Sequence, residues 1–176
     1  MSNYISPKEI KQVINRTSDD QTKIIIFFIY NYGMTPEDVV QLTRRNFIIQ
    51  NQVVRIQFDR IKTQTKHVFR IPDYFTQTLY KVLSRRKEKQ PFFVGTNRKA
   101  MSAATLENRL FDETLHQNKK LDPRSLWESH LFWIFRKGYN FSEATKEYGI
   151  KHEDKEWSIW EEATQEKRVF PRLLDI

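Results

Sequence analysis

Apolar positions recur with a helical period over the first part of the chain. Between residues 7 and 42 they repeat every three or four positions, as in helices that bury one face. Ser6 and Thr35 each precede a proline, the order typical of an N-cap followed by the first helical residue. Residues 24–30 are apolar almost all round, which indicates a helix at the centre of the core. The pattern predicts three helices in this part of the chain.

The period changes near residue 46. Two runs rich in β-branched and aromatic residues, 46–49 and 53–58, are joined by a polar Gln-Asn-Gln, which is typical of a hairpin. Residues 66–71 predict a third strand that ends at a proline. Helical spacing then returns over residues 74–87, 102–116, 123–137, 142–149 and 155–167. This order predicts a single domain over residues 1–176, of α+β class and mainly α, with one small three-stranded antiparallel sheet.

The composition excludes several kinds of chemistry. The chain has no cysteine, which excludes a disulfide framework, a thiolate zinc site and a cysteine nucleophile. Its histidines lack the spacing of zinc ligands, so we expect no metal and no cofactor. The longest apolar run, residues 24–30, is too short to cross a bilayer, and the N-terminus does not resemble a secretory signal. We therefore expect a cytoplasmic protein.

The charge of the chain indicates its class of partner. The net charge is +8 and the sequence pI is about 9.6, a range typical of nucleic-acid-binding domains. Residues 44–99 carry 14 Lys and Arg against 3 Asp and Glu, whereas the remainder has a net charge of −3. This asymmetry favours a surface that attracts polyanions, although a protein with ordinary lysine-rich faces is an alternative.

Two segments resemble tyrosine recombinases, the phage integrase family. Residues 33–42, Gly-Met-Thr-Pro-Glu-Asp-Val-Val-Gln-Leu, are similar to the family's Gly-Leu-Arg-Ile-Ser-Glu-Leu segment. Its first catalytic arginine falls on Thr35, whose hydroxyl cannot supply a bidentate cation to a phosphate. Residues 60–72 resemble the hairpin that carries the family's catalytic lysine, and Lys62 and Lys66 compete for that position.

A third segment resembles the family's His-x-x-Arg box. Residues 121–131 read Leu-Asp-Pro-Arg-Ser-Leu-Trp-Glu-Ser-His-Leu. Arg124 matches the second catalytic arginine, but Leu121 stands where the box has histidine.

The nucleophile of the family is a tyrosine that follows a Leu-Gly-His element. Residues 148–152 are similar to that element and place His152 on the family's next His or Trp position. No tyrosine follows Tyr148, and Trp157 and Trp160 occupy the region of the nucleophile. An indole cannot attack phosphorus, so this position also departs from the family.

The resemblance implies the recombinase catalytic fold and duplex DNA as partner, without strand transfer. The missing groups are the first arginine, the box histidine and the tyrosine, and each such group contributes at least about a hundredfold in rate. We expect a transcriptional regulator, lysogeny regulator or accessory factor of a phage or mobile element, associated with the nucleoid. Because the chain begins almost at the catalytic domain, no N-terminal core-binding domain is expected.

The basic residues are interpreted as phosphate contacts that position DNA. Their alternative is a solvated sheet edge protected by lysines, and for Arg124 an ion pair with a tail carboxylate. Sequence selectivity is expected from the helices near residues 97–109 and 123–133. The predicted contacts are Arg44, Arg45, Arg60, Lys62, Lys66, Arg98, Lys99 and Arg124.

The C-terminal segment, residues 153–176, is interpreted as an acidic tail helix. Its carboxylates argue against insertion into a DNA groove, so we expect it to pack or to contact another copy or another recombinase-like protein. Two other functions stay open. One is a protein-interaction module acting on a recombinase or repressor, and the other is an active recombinase with an atypical site.

Overall fold

Helices form most of the molecule, and one small sheet lies between the third and fourth of them. The structure is a computed structural model that describes residues 3–150 and 154–174, with the side chains of residues 3–150 and 155–165. Within these residues no helix is both long and apolar enough to cross a membrane. The elements are α1 Pro7–Arg16, α2 Asp20–Tyr32, α3 Pro36–Val40, a 3-10 turn Arg44–Asn46, β1 Phe47–Gln50, β2 Val53–Asp59, β3 Lys66–Arg70, α4 Asp73–Leu83, α5 Ala103–Gln117, α6 Pro123–Arg136, α7 Phe141–Tyr148 and α8 Asp154–Leu174.

Side-chain caps fix where the first helices begin. The Ser6 hydroxyl accepts from Glu9 N at 3.2 Å, and the Glu9 carboxylate accepts from Ser6 N at 2.8 Å, which forms a capping box. α2 ends at Gly33, whose φ of +59° is the left-handed conformation that glycine adopts most easily. The predicted starts at Ser6 and Thr35 are confirmed.

α2 is the central helix of the core. Residues 24–30 are all buried, as their all-round apolar pattern predicts. α2 packs against α4 and α6, and the rings of Phe27 and Phe75 stack at 4.0 Å between centroids. Burying such side chains stabilises the fold by about 1.5–3 kcal/mol each, so α2 is the element around which the others assemble.

The sheet is an antiparallel meander in the order β1-β2-β3. Phe47 pairs with Ile56, and Phe58 pairs with His67. The β1–β2 turn places Asn51 and Gln52 at φ of 49° and 66°, the backbone that a two-residue hairpin requires. The predicted fold class is therefore confirmed.

α6 and α8 form the C-terminal layer. They pack against each other through a second apolar cluster that includes Leu131, Phe135, Ile159 and Ala163. The helix predicted over residues 155–167 lies within α8, which continues to Leu174. α8 thereby borders the start of α6, where Arg124 lies.

Candidate functional site

Three of the positions that the recombinase resemblance singles out meet at one cleft. Thr35 at the start of α3, Lys62 in the β2–β3 turn and Arg124 at the start of α6 line a cavity of about 750 Å³. Glu107 and Phe111 of α5 and Glu156 of α8 complete its walls. We call this cavity the cleft.

Thr35 caps the N-terminus of α3. Its hydroxyl accepts from Asp38 N at 3.2 Å, and the Asp38 carboxylate accepts from Thr35 N at 3.0 Å. The second oxygen of Asp38 accepts from Ile61 N at 2.9 Å, which ties α3 to the β2–β3 turn. The side chain at the position of the first catalytic arginine is thus a structural cap.

Arg124 lies exposed on the rim of the cleft and forms an ion pair. Its Nε donates to Glu128 Oε1 at 2.8 Å, and Lys155 Nζ lies 2.6 Å from the same oxygen. The hydrogen bond to Glu128 raises the pKa of Arg124 above its usual value. The alternative expected for Arg124 was an ion pair with a tail carboxylate. Among the described side chains its partner is Glu128 of α6, and Lys155 of the tail pairs with the same carboxylate.

Carboxylates outnumber cations around the cleft. Glu37, Glu107, Asp122 and Glu156 line it together with Lys62 and Arg124. Glu156 Oε2 is buried and accepts no hydrogen bond from any described residue. A phosphate entering the cleft would meet more like charge than opposite charge, which makes the cleft a poor anion site.

Two of the remaining positions of the resemblance, Leu121 and Trp160, lie away from the cleft lining. Leu121 is completely buried in the core. Trp160 packs against Trp157 at 4.7 Å between ring centroids and against Phe141 at 6.5 Å. His152 lies outside the described residues. The structure thus unites Thr35, Lys62 and Arg124 but not Leu121 or Trp160.

Arg60 corrects one of the sequence predictions. It is only 2% exposed, and its two terminal nitrogens donate to Gly33 O and Tyr32 O at 2.7 Å each. Asp38 lies 3.9 Å away, and the guanidinium stacks over the Tyr148 ring at 4.4 Å. Arg60 has no surface with which to reach DNA, so the predicted phosphate contact is wrong.

A buried polar framework adjoins the cleft at Gly33. The His130 ring lies between Tyr30 O, at 2.8 Å from Nδ1, and the Tyr148 hydroxyl, at 2.9 Å from Nε2. Since a carbonyl oxygen can only accept, Nδ1–H donates to it and Nε2 accepts from the hydroxyl. Burial lowers the pKa of His130 to about 4, so the ring is neutral at pH 7. We call Gly33, Arg60, His130 and Tyr148 the polar framework.

A group of arginines forms a second surface, beside the end of α4. Arg44, Arg45 and Arg86 line a depression of about 600 Å³. Arg85, Arg86 and Arg98 line another of about 730 Å³, so Arg86 joins the two into one surface. The helix predicted to reach residue 87 ends at Leu83. We call the five residues Arg44, Arg45, Arg85, Arg86 and Arg98 the arginine patch.

Most cations of residues 44–99 have no carboxylate partner among the side chains that the structure describes. Among the described side chains, three of the fourteen form ion pairs within 4.0 Å: Arg45 with Glu88, Arg60 with Asp38 and Arg70 with Asp73. The Arg45 pair is long, at 3.5 Å, and exposed. Lys62, Lys66 and Lys99 are exposed, the first two in or beside the β2–β3 turn. These charges are available to an external anion.

Sequence reasoning missed the functional meaning of several residues. Arg86 is one of several neighbouring cations in the sequence, but it joins the two depressions, and its Nε donates to Phe92 O at 2.9 Å. Trp127 lies within the periodic pattern of α6, yet it is half-buried and lines the cleft. Glu107 and Glu156 are far apart in sequence, so no local motif reveals that they share the cleft.

The fold is similar to that of solved recombinases. XerA recombinase has 18% identity and a TM-score of 0.75, covering 98% of this chain and 64% of that one. XerH recombinase bound to its difH substrate has 14% identity and a TM-score of 0.70, covering 96% and 53%. The Tn1549 transposon integrase in complex with a circular intermediate DNA has 13% identity and a TM-score of 0.68, covering 89% and 60%.

This chain spans between about half and two thirds of the length of those proteins. At such identities the likeness shows the fold alone. A search of the curated proteins finds no match. The family model of the phage integrase family matches residues 3–157, most of the chain. The chain therefore belongs to the phage integrase family.

Proposed function

We propose that this chain is a non-catalytic, DNA-binding member of the phage integrase family that acts as a regulator or accessory factor of a phage or mobile element. The observation that carries the DNA partner is the surplus of unpaired cations over residues 44–99. Solved members of similar fold, XerH and the Tn1549 integrase, were captured on DNA. Phosphate-dominated binding needs such cations, since each contact releases counterions from the duplex.

The proposal that the chain does not cut DNA rests on its tyrosines. No tyrosine follows Tyr148 in the sequence. Tyr148 is buried, its hydroxyl donates to His130, and burial raises its pKa further above the usual value. The Tyr139 hydroxyl donates to Glu147 at 2.6 Å, which raises its pKa to about 12. Neither side chain lines the cleft, so neither is placed as a nucleophile beside Lys62 and Arg124.

The arginine patch supports DNA binding better than the cleft does. Of its two depressions, one is lined by three arginines and one carboxylate, Glu88. The other contains Asp19 and Asp20, but these already pair with Arg109 at 3.1 Å and Lys23 at 3.8 Å. The cleft has four carboxylates beside two cations. We therefore assign the main phosphate contacts to the patch, and a smaller share to Lys62, Lys66 and Arg124.

The first experiment is a titration of random-sequence duplex DNA at two salt concentrations. We compare the native chain with Arg44→Ala/Arg45→Ala, with Lys62→Ala/Arg124→Ala and with Lys8→Ala/Lys11→Ala. The last pair removes the same charge from exposed positions of α1. Affinity should fall with salt, and the patch variant should lose about one unit of salt slope per arginine that contacts a phosphate. Absence of binding at low salt would refute the DNA partner for this chain.

A second experiment tests the absence of strand transfer. A nicked duplex traps the covalent phosphotyrosyl adduct of an active tyrosine recombinase, and we expect no adduct with this chain on a denaturing gel. An adduct that disappears in Tyr139→Phe or Tyr148→Phe would establish the active recombinase instead. Loss in Tyr139→Phe is the more informative result, because Tyr148 also contributes to the polar framework.

A further inference from the structure

One wall of the cleft is apolar and open to solvent. Phe111 on α5 lines it and is 58% exposed. Leu115 lies one helical turn further along α5 and is 67% exposed, so the two side chains share a face. Trp127 of α6 contributes a half-buried ring to the cleft. The apolar surface thus extends from the cleft along α5, beyond the size of a compact small-molecule site.

Negatively charged side chains border this apolar wall. Glu107 lies one turn before Phe111 on the same helix, and Glu37 lies in the first turn of α3. Neither forms an ion pair within 4.0 Å among the described side chains. Glu156 presents a buried oxygen that lacks any described hydrogen-bond donor. A buried acceptor without a partner is costly, and its charge adds to the negative potential of the cleft.

The two cations of the cleft offset only part of this charge. Arg124 already binds Glu128, which also binds Lys155. Lys62, in the β2–β3 turn, is exposed and supplies one positive charge against the four carboxylates of the lining. The cleft therefore combines an apolar anchor site with a net negative rim.

We propose that the cleft docks a segment of a partner protein that is rich in lysine or arginine and carries one aromatic or aliphatic anchor side chain. The anchor packs against Phe111 and Trp127, and the flanking cations pair with the exposed carboxylates Glu37 and Glu107. Charge complementarity selects this occupant over nucleic acid, because a phosphate backbone would face the same carboxylates. The proposal is independent of DNA binding, which we assign mainly to the arginine patch on another surface.

Fluorescence anisotropy of labelled peptides tests the proposal on the full chain. The panel consists of short peptides in which one Phe, Trp or Leu is flanked by four Lys or Arg residues. A matched panel carries Glu in place of every cation. We expect saturable binding of cationic members only, weakened at least tenfold in Glu107→Lys and in Phe111→Ala, both of which change exposed side chains.

Asp112→Lys is the matched control for Glu107→Lys. It makes the same charge change on an exposed position of α5 that does not line the cleft. We expect the control to bind the peptides within about twofold of the native chain. Equal weakening by both variants would mean non-specific attraction and would overturn the proposal. Absence of binding across the cationic panel would overturn it as well.

Two further readouts separate other occupants. If DNA occupied the cleft, Glu107→Lys would tighten duplex binding. Lys62→Ala/Arg124→Ala would then weaken duplex binding more than Arg44→Ala/Arg45→Ala does. This pattern would overturn the assignment of the cleft to a peptide. If a second copy of this chain were the occupant, sedimentation would show a dimer that Glu107→Lys disrupts and Asp112→Lys does not, which also overturns it. We expect neither result.

Discussion

The cleft and the arginine patch differ in what lies beneath them. The cleft adjoins the polar framework, in which Gly33, Arg60, His130 and Tyr148 make buried contacts across three helices and a strand end. The arginine patch lies on turns beside the end of α4, and its side chains are mostly exposed. One surface is coupled to the stability of the fold, whereas the other can change its charge at little structural cost.

Variants on the two surfaces therefore report on different properties, namely stability together with binding at the cleft and binding alone at the arginine patch. A change near the polar framework alters folding as well as binding, so its effect on a ligand is interpretable only beside a stability measurement. A change in the arginine patch reports on the ligand directly.

Gly33→Ala should have the largest effect. A Cβ at this position would lie 2.6 Å from two atoms of the His130 ring and 2.7 Å from Tyr148, in addition to the left-handed φ of +59°. We expect a loss of about 4 kcal/mol in the free energy of unfolding, from overpacking plus backbone strain. Urea denaturation measures it. Gly138→Ala is the control, because the φ of Gly138 is +108° but nothing lies within 4 Å of the Cβ that alanine would add. A loss of equal size in this control would mean that backbone strain, and not the clash with His130 and Tyr148, destabilises Gly33→Ala.

Acid should weaken the polar framework next. The folded pKa of His130, about 4, lies below its unfolded value of 6.5, so the unfolded chain takes up the proton first as the pH falls. The contribution of neutral His130 to the free energy of unfolding is therefore complete above pH 6.5. It is lost between pH 6.5 and 4, at about 1.4 kcal/mol per pH unit and about 3 kcal/mol in all. We expect the urea midpoint of the native chain to fall between pH 7 and 5 more than that of His130→Gln. Parallel midpoints would contradict the neutral, buried ring.

The triple variant Arg44→Ala/Arg45→Ala/Arg98→Gln should show the reverse behaviour. We expect DNA affinity to fall by about a hundredfold, and the salt slope to fall by up to about 3, if each arginine contacts a phosphate. The free energy of unfolding should change by less than about 0.5 kcal/mol per site, since such surface changes are usually small. Anisotropy and urea denaturation on the same samples check both. Unchanged DNA affinity would remove the distinction between the two surfaces.

Glu156→Gln should give the smallest effect, and one of opposite sign. Its Oε2 is buried without a described partner, so removing the charge should raise the free energy of unfolding by about 1 kcal/mol. Thermal unfolding measures the gain. Glu161→Gln makes the same change on an exposed position of α8 and should leave stability unchanged. A destabilised Glu156→Gln variant would mean that the carboxylate is satisfied in solution.

The sequence predicted those features that are encoded locally. Ser6 and Thr35 are followed by a proline and a suitable carboxylate three residues on, and each forms the capping box that this spacing favours. The hairpin follows from the change of period and the polar turn. The fold class then follows from the order of such elements, and the resemblance to recombinases implies the same fold.

The sequence could not predict contacts that join distant segments. Arg60 looked like any other cation of a basic sheet, and its partners, the carbonyl oxygens of Tyr32 and Gly33, carry no side-chain signature. The negative rim of the cleft could not be predicted for the same reason. Glu107 and Glu156 line one cavity only after α5 has packed against α3 and α8 against α6. Whether a cation is exposed or buried is a property of the tertiary structure.

The cap at Thr35 has a consequence for substitutions at this position. Replacing this threonine with arginine would remove the hydroxyl that accepts from Asp38 N, at a cost of about 1 kcal/mol. The new cation would stand beside Glu37 on the negative rim. A Thr35→Arg substitution would therefore exchange a helix cap for a surface charge, and the start of α3 would lose the hydrogen bond that fixes it.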